Sequence, residues 1–282
     1  MNTRQVSAVV SGQATTDGAG VELVRVIGQT ELMELDPFLL LDAFRSDDPN
    51  DYIAGFPPHP HRGFETVTYL LNGRMRHKDN AGNEGVIEPG GIQWMTAGKG
   101  IVHSEMPEQQ DGLLEGFQLW INLPGSHKMS SPAYQEHDAA QIPVESRPGT
   151  EIKVVSGKTS QGTTGPVTQP LTDPLYLDVS LAAGTRFSEA LETDHNAFVY
   201  VISGELQLED TDRVQLSLAR DQLAVLTRGG DGVELQAGDQ ASRFLLVAGK
   251  PLNEPVARGG PFVMNTEAEI QQAFSDYRNG NF

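Results

Sequence analysis

A chain of 282 residues without one cysteine forms no disulfide and offers no thiolate to a metal, leaving histidine and carboxylate as ligands. Its net charge of −18 argues against direct binding to a nucleic-acid backbone, which needs clustered Lys and Arg, and reads instead as a solubilising surface. No run approaches membrane-spanning length and residues 1–7 hold no apolar leader core, so a cytoplasmic protein without membrane contact is expected.

With 38% hydrophobic residues, 30 glycines and 17 prolines, the chain is turn-rich rather than disordered. Short alternating runs broken by Gly, Pro, Asn and Asp predict an all-β fold, and the length allows two domains. Residues 6–10 and 21–27 read as strands around the turn Asp17-Gly18-Ala19-Gly20. Residues 36–45 form an apolar strand in which Asp36, before Pro37, is a turn residue and Asp42 a carboxylate in a structural hydrogen bond.

Residues 58–71 read as one strand closing at Asn72-Gly73. His77 is expected at the surface beside the loop at residues 79–85. Residues 92–96 and 117–123 are further strands, and Ala97-Gly98-Lys99-Gly100 bends the chain ahead of His103. Residues 131–148, rich in Ser, Pro, Gln, Glu and Asp, are expected to link a domain at 1–130 to one at 149–282, with His127 and His137 exposed nearby. Strands recur at residues 152–157, 175–181, 197–202 and 205–208, and a helix is predicted from the capping box Thr266-Glu267-Ala268-Glu269.

Successive residues of a strand alternate between its faces. His59, His61 and Glu65 of the run at 58–71 therefore share one face, and so do His103 and Glu105. Brought together inside one barrel, three imidazoles and one or two carboxylates make a metal site. Strand parity does not choose between Glu65 and Glu105. His195 opens a similar His-strand-Gly segment in the second half but has no companion pair. Arg62 and Lys99 read as solvated loop charges. No Gly-x-Ser-x-Gly elbow and no phosphate-binding Gly-x-x-x-x-Gly-Lys-Ser/Thr loop occurs.

The segments at residues 36–42, 59–69, 93–105 and 260–266 are similar to those of the pirin family within the cupin superfamily. The resemblance implies two tandem cupin barrels with a short C-terminal helix, a single metal in the first barrel and none in the second. It implies His59, His61, His103 and Glu105 as ligands, with Glu65 orienting a histidine or a water. Iron(II) is the metal expected first, with manganese, nickel, cobalt, copper or zinc as other occupants. The implied activity is that of a quercetin 2,3-dioxygenase acting on a flavonol-like substrate, with Glu105 as the catalytic base. The alternative is a regulatory protein without enzymatic activity, acting through a protein partner according to the state of its metal.

Overall fold

The computed structural model describes residues 2–282. Alternating burial and frequent turn glycines yield antiparallel strands almost throughout, as the short periodic runs require. Strand β1 (Val6–Ser11) pairs with a strand from late in the chain. There follow β2 (Gln13–Asp17), β3 (Val21–Ile27), β4 (Phe38–Ser46), β5 (Phe56–His61), β6 (Phe64–Asn72), β7 (Met75–Asp79), β8 (Glu84–Ile87), β9 (Ile92–Thr96), β10 (Ile101–Pro107), β11 (Leu114–Asn122) and β12 (Ala133–His137). They form a seven-stranded sheet, β12-β9-β6-β11-β4-β3-β2, and a four-stranded sheet, β5-β10-β7-β8.

The later strands are β13 (Val144–Arg147), β14 (Thr150–Ser156), β15 (Leu175–Leu181), β16 (Arg186–Ala190), β17 (Asn196–Ser203), β18 (Glu205–Glu209), β19 (Gln215–Ala219), β20 (Gln222–Leu226), β21 (Gly232–Ala237) and β22 (Ser242–Gly249). They repeat the pattern with sheets β1-β20-β17-β22-β15-β14-β13 and β16-β21-β18-β19. A hairpin of β23 (Ala257–Gly259) and β24 (Phe262–Met264) precedes helix α1 (Glu267–Arg278). Thr266 caps α1 by accepting from the Glu269 amide, while the Glu269 side chain accepts from the Thr266 amide. No helix among the described residues is long and apolar enough to cross a membrane.

Two compact units result. One takes the chain up to Gln13, Gln29–Pro37 and Ala140–Pro251; the other takes Ala14–Gly28, Phe38–Ala139 and Leu252–Phe282. This partition departs from a simple cut at residues 131–148. That segment carries two strands, since Ala133–His137 pairs with β9 and Val144–Arg147 pairs with β14. Both are edge strands of their sheets and rich in polar residues, so composition alone resembles a linker. The terminal hairpin and helix belong to the unit that holds β2–β12, where Val263 N–H donates to the Arg62 carbonyl.

The run at residues 58–71 is two strands and not one. Gly63 (φ +88°) breaks it, and a Cβ there would lie 2.0 Å from the Val263 carbonyl oxygen. β5 joins the four-stranded sheet and β6 the seven-stranded one. Buried Lys128 fastens the break by donating to the carbonyls of Gly63 (2.7 Å) and Val263 (2.9 Å) and to Asn122 Oδ1 (2.6 Å).

Candidate metal centre

β5 and β10 run antiparallel, with His103 opposite His59 and Ile101 opposite His61. The alternation that buries Ile101, His103 and Glu105 turns all three inward. The rings of His59, His61 and His103 come together with centroids 4.7, 4.5 and 5.0 Å apart. One nitrogen from each lies within 4.8 Å of the other two. Nδ1 of His59 donates to the Pro57 carbonyl at 2.8 Å, which directs its Nε2 to the cluster as an acceptor.

The donor set suits a divalent cation. The ring nitrogens of His103 are buried without a hydrogen-bond partner, and those of His61 are buried with only the Pro261 backbone near them. Buried polar atoms are seldom left so, and a metal ion is the partner that three convergent imidazoles accept together. Burial, reinforced by neighbouring His103 and His59, holds His61 well below the usual imidazole range. Burial likewise pushes His103 down to about 4, against the opposing charge of Glu105. Neutral imidazoles are the form that ligates.

Glu105 lies on the same wall but outside the three-nitrogen cluster. Thr68 Oγ1 donates to its Oε1 at 2.7 Å and Gln118 Nε2 to its Oε2 at 3.1 Å. Glu65 sits on β6, beyond the Gly63 break, so it does not continue the face of His59 and His61. Its carboxylate accepts from Trp94 Nε1 (2.9 Å) and Thr96 Oγ1 (2.6 Å).

A cavity of about 610 Å³ opens onto His59, His61 and Glu105, a volume suited to a small organic ligand. Period-two faces build its walls: Leu40, Asp42 and Phe44 from β4, and Gln118 and Trp120 from β11. Trp120 meets the His61 ring edge-on at 5.3 Å. Asp42 is held by two bonds from Arg25, at 2.8 and 2.7 Å, in the structural role expected of it.

Several residues depart from expectation. His77 is buried in β7 opposite Glu105, its Nε2 2.6 Å from a Glu136 carboxylate oxygen and its ring tilted against Tyr134. The loop that follows it in sequence suggested exposure, but alternation along β7 turns it inward. Arg62 is buried and paired with Asp276 of α1 at 2.7 Å, a contact between residues too distant in sequence for any local pattern to show. His137 is half-buried on β12, whereas His127 and Lys99 are exposed. His195 is buried, with Nε2 3.9 Å from carboxylate oxygens of Asp173 and Asp194. Thr68, Gln118 and Trp120 escaped the sequence reading, although polar or amphipathic residues on the inward phase of apolar strands were the available sign.

The family model Pirin matches residues 20–121 and the Pirin C-terminal cupin domain matches residues 176–282. A pirin-like protein of Caulobacter vibrioides is 53% identical, covering 100% of both chains. Pirin of Homo sapiens is 43% identical over 99% of this chain and 93% of its own length. The crystal structure of a quercetin 2,3-dioxygenase from Acinetobacter baumannii aligns with a TM-score of 0.90 at 33% identity, covering 99% of this chain and 98% of that one. With both halves matched and full-length relatives aligned throughout, this two-cupin chain belongs to the pirin family.

Proposed function

We propose that His59, His61 and His103 hold one divalent metal ion, iron(II) before manganese, nickel, cobalt, copper or zinc, with Glu105 as the fourth ligand. We infer that the chain acts as a flavonol 2,3-dioxygenase. The observation that carries this reading is the convergence of three imidazoles, two of them fully buried, beside a cavity of mixed apolar and polar lining. The structural likeness to the Acinetobacter quercetin 2,3-dioxygenase supports the substrate class.

A metal ion bound there supplies Lewis acidity toward a substrate hydroxyl and redox chemistry toward dioxygen. The chain's own residues do the rest. Leu40 offers aliphatic surface to an aromatic ring system and keeps water from it. Glu105, aimed by Thr68 and Gln118, accepts the proton of the flavonol hydroxyl. Overall, flavonol and dioxygen give the ring-opened depside and carbon monoxide, which balances without another reactant.

The test is aerobic quercetin consumption by the iron(II)-loaded protein, beside His61→Ala and beside iron(II) alone, with metal content and thermal unfolding recorded for each protein. Turnover confined to the intact, metal-bound chain is expected. Equal background in all three samples, with loading verified, overturns the enzymatic reading in favour of a protein that acts through a partner.

A further inference from the structure

One buried guanidinium joins the two bends that lead to the histidines. Arg62 follows His61 directly, and its Nε donates at 2.5 Å to the carbonyl of Lys99, in the bend ahead of His103. The Gly63 N–H ties the same two bends again, donating to the Gly98 carbonyl at 2.8 Å. Arg62 is only 3% exposed, and its Nη1 lies 2.7 Å from Oδ2 of Asp276 on α1. Gln272 of the same helix donates to the other Asp276 oxygen at 2.7 Å, which fixes the direction of the carboxylate. The ring of Phe282 stands 4.4 Å from the guanidinium carbon and against Gly100, where a Cβ would come within 2.8 Å of it. The hairpin ahead of α1 takes part as well. Val263 N–H donates to the Arg62 carbonyl at 3.0 Å, and the Pro261 backbone lies beside the His61 ring.

A guanidinium buried this far is costly without a counter-charge, so Asp276 holds it where it is. The main chain of Arg62 is one peptide from that of His61. Where the guanidinium is held therefore governs the direction in which the His61 imidazole leaves the backbone, and the bond to Lys99 sets that direction against the strand of His103. Contacts that orient ligands in this way tune the affinity and geometry of a metal site without supplying a ligand.

We propose that Asp276 is a positioning residue for the metal centre, acting through Arg62 to fix the strand end that carries His61 against the strand that carries His103. The inference rests on the reading of the three histidines as a metal site. It adds that α1, a helix that supplies no ligand, sets how tightly and in what geometry the metal is held.

Cobalt(II) titration of the full chain tests it, read by visible d–d absorption and by competition with a chelator, with thermal unfolding recorded beside it. Asp276→Ala is expected to weaken cobalt(II) binding about ten-fold, the lower end of what loss of a supporting contact costs a metal site, and to alter the absorption envelope. Asp276→Glu, which keeps a charge for Arg62, is expected to recover much of both, and Asp276→Asn less. Glu269→Ala is the control, since it removes the capping box at the other end of α1 and leaves the Arg62 pair in place. It is expected to lower the unfolding temperature with spectrum and affinity unchanged. Unchanged affinity and spectrum in folded Asp276→Ala overturn the proposal. An equal change in Glu269→Ala also overturns it, because the effect then belongs to helix stability alone. If Asp276→Ala does not fold, Asp276→Asn carries the comparison, and a spectrum and affinity like those of the natural chain overturn the proposal. A natural chain that binds no cobalt(II) removes the metal reading together with the proposal. Asp276-dependent binding without any quercetin turnover upholds the proposal and removes only the dioxygenase reading.

Discussion

The two cupin units share a sheet plan and differ in what fills it. The second is lined by hydrocarbon: Val154, Val199, Leu206, Leu218, Leu235 and Phe244 belong to one continuous buried cluster. The first buries an apolar core of its own, Leu41, Val67, Trp94, Leu119 and Ile121 among it, and beside that places His61, His77, His103, Glu105 and Thr68 on buried positions of its strands. Both satisfy their backbones by the same antiparallel ladders, and period-two alternation turns one set of side chains inward in each. The architecture therefore tolerates either content. The imidazole cluster and the cavity beside it belong to one unit, while the other carries the large continuous apolar cluster.

The sharpest way to break this contrast is His61→Ala. Loss of a ligand is expected to lower metal affinity by more than about a hundred-fold, beyond the range seen when only a supporting partner is removed. Metal analysis after dialysis reads it, and full retained occupancy contradicts the assignment of His61. In the second unit, Leu206→Ala is expected to cost about 2–5 kcal/mol in chemical denaturation while metal content stays unchanged. Metal loss in a still-folded variant of that kind ends the division of labour.

Lys128→Met sharpens the comparison at the fastening of the first unit. Its ammonium serves two carbonyls and Asn122, and their loss is expected to cost about 2–3 kcal/mol. Burial pushes Lys128 down to about 8 from an ordinary 10.5, so between those values the unfolded chain binds the proton that the folded chain has released. The contribution of this lysine is smallest below pH 8 and rises toward pH 10.5. The stability difference between natural and Met chains should rise across that window, and a flat difference refutes the attribution. The smallest expected effect belongs to Thr68→Val, which removes one donor from Glu105 and should slow turnover about ten-fold with metal retained, the worth of one hydrogen bond. Turnover unchanged by that substitution rules out orientation of Glu105 by Thr68.

What lay in local pattern was legible. The His-x-His of β5 and the His-x-Glu of β10 announced inward groups because strand alternation acts within a few residues. The capping box at Thr266 set the start of α1 for the same reason, its partners being three residues apart. The all-β class followed from the density of turns and short alternating runs.

Only the tertiary structure decided which strand each segment joins. Gly63 divides the histidine run because the backbone of Val263 leaves no room for a Cβ, a constraint from residues two hundred positions away in kind with that between Arg62 and Asp276. That division carries Glu65 to Trp94 and Thr96 and leaves Glu105 on the cavity wall. Pairing of Ala133–His137 with β9 and of β1 with β20 likewise depends on edges formed by distant strands. The sequence by itself determined the residue types that face inward, through period-two alternation. Their convergence, and the cavity they share with Trp120 and Arg258, came from long-range sheet pairing, which no local propensity encodes.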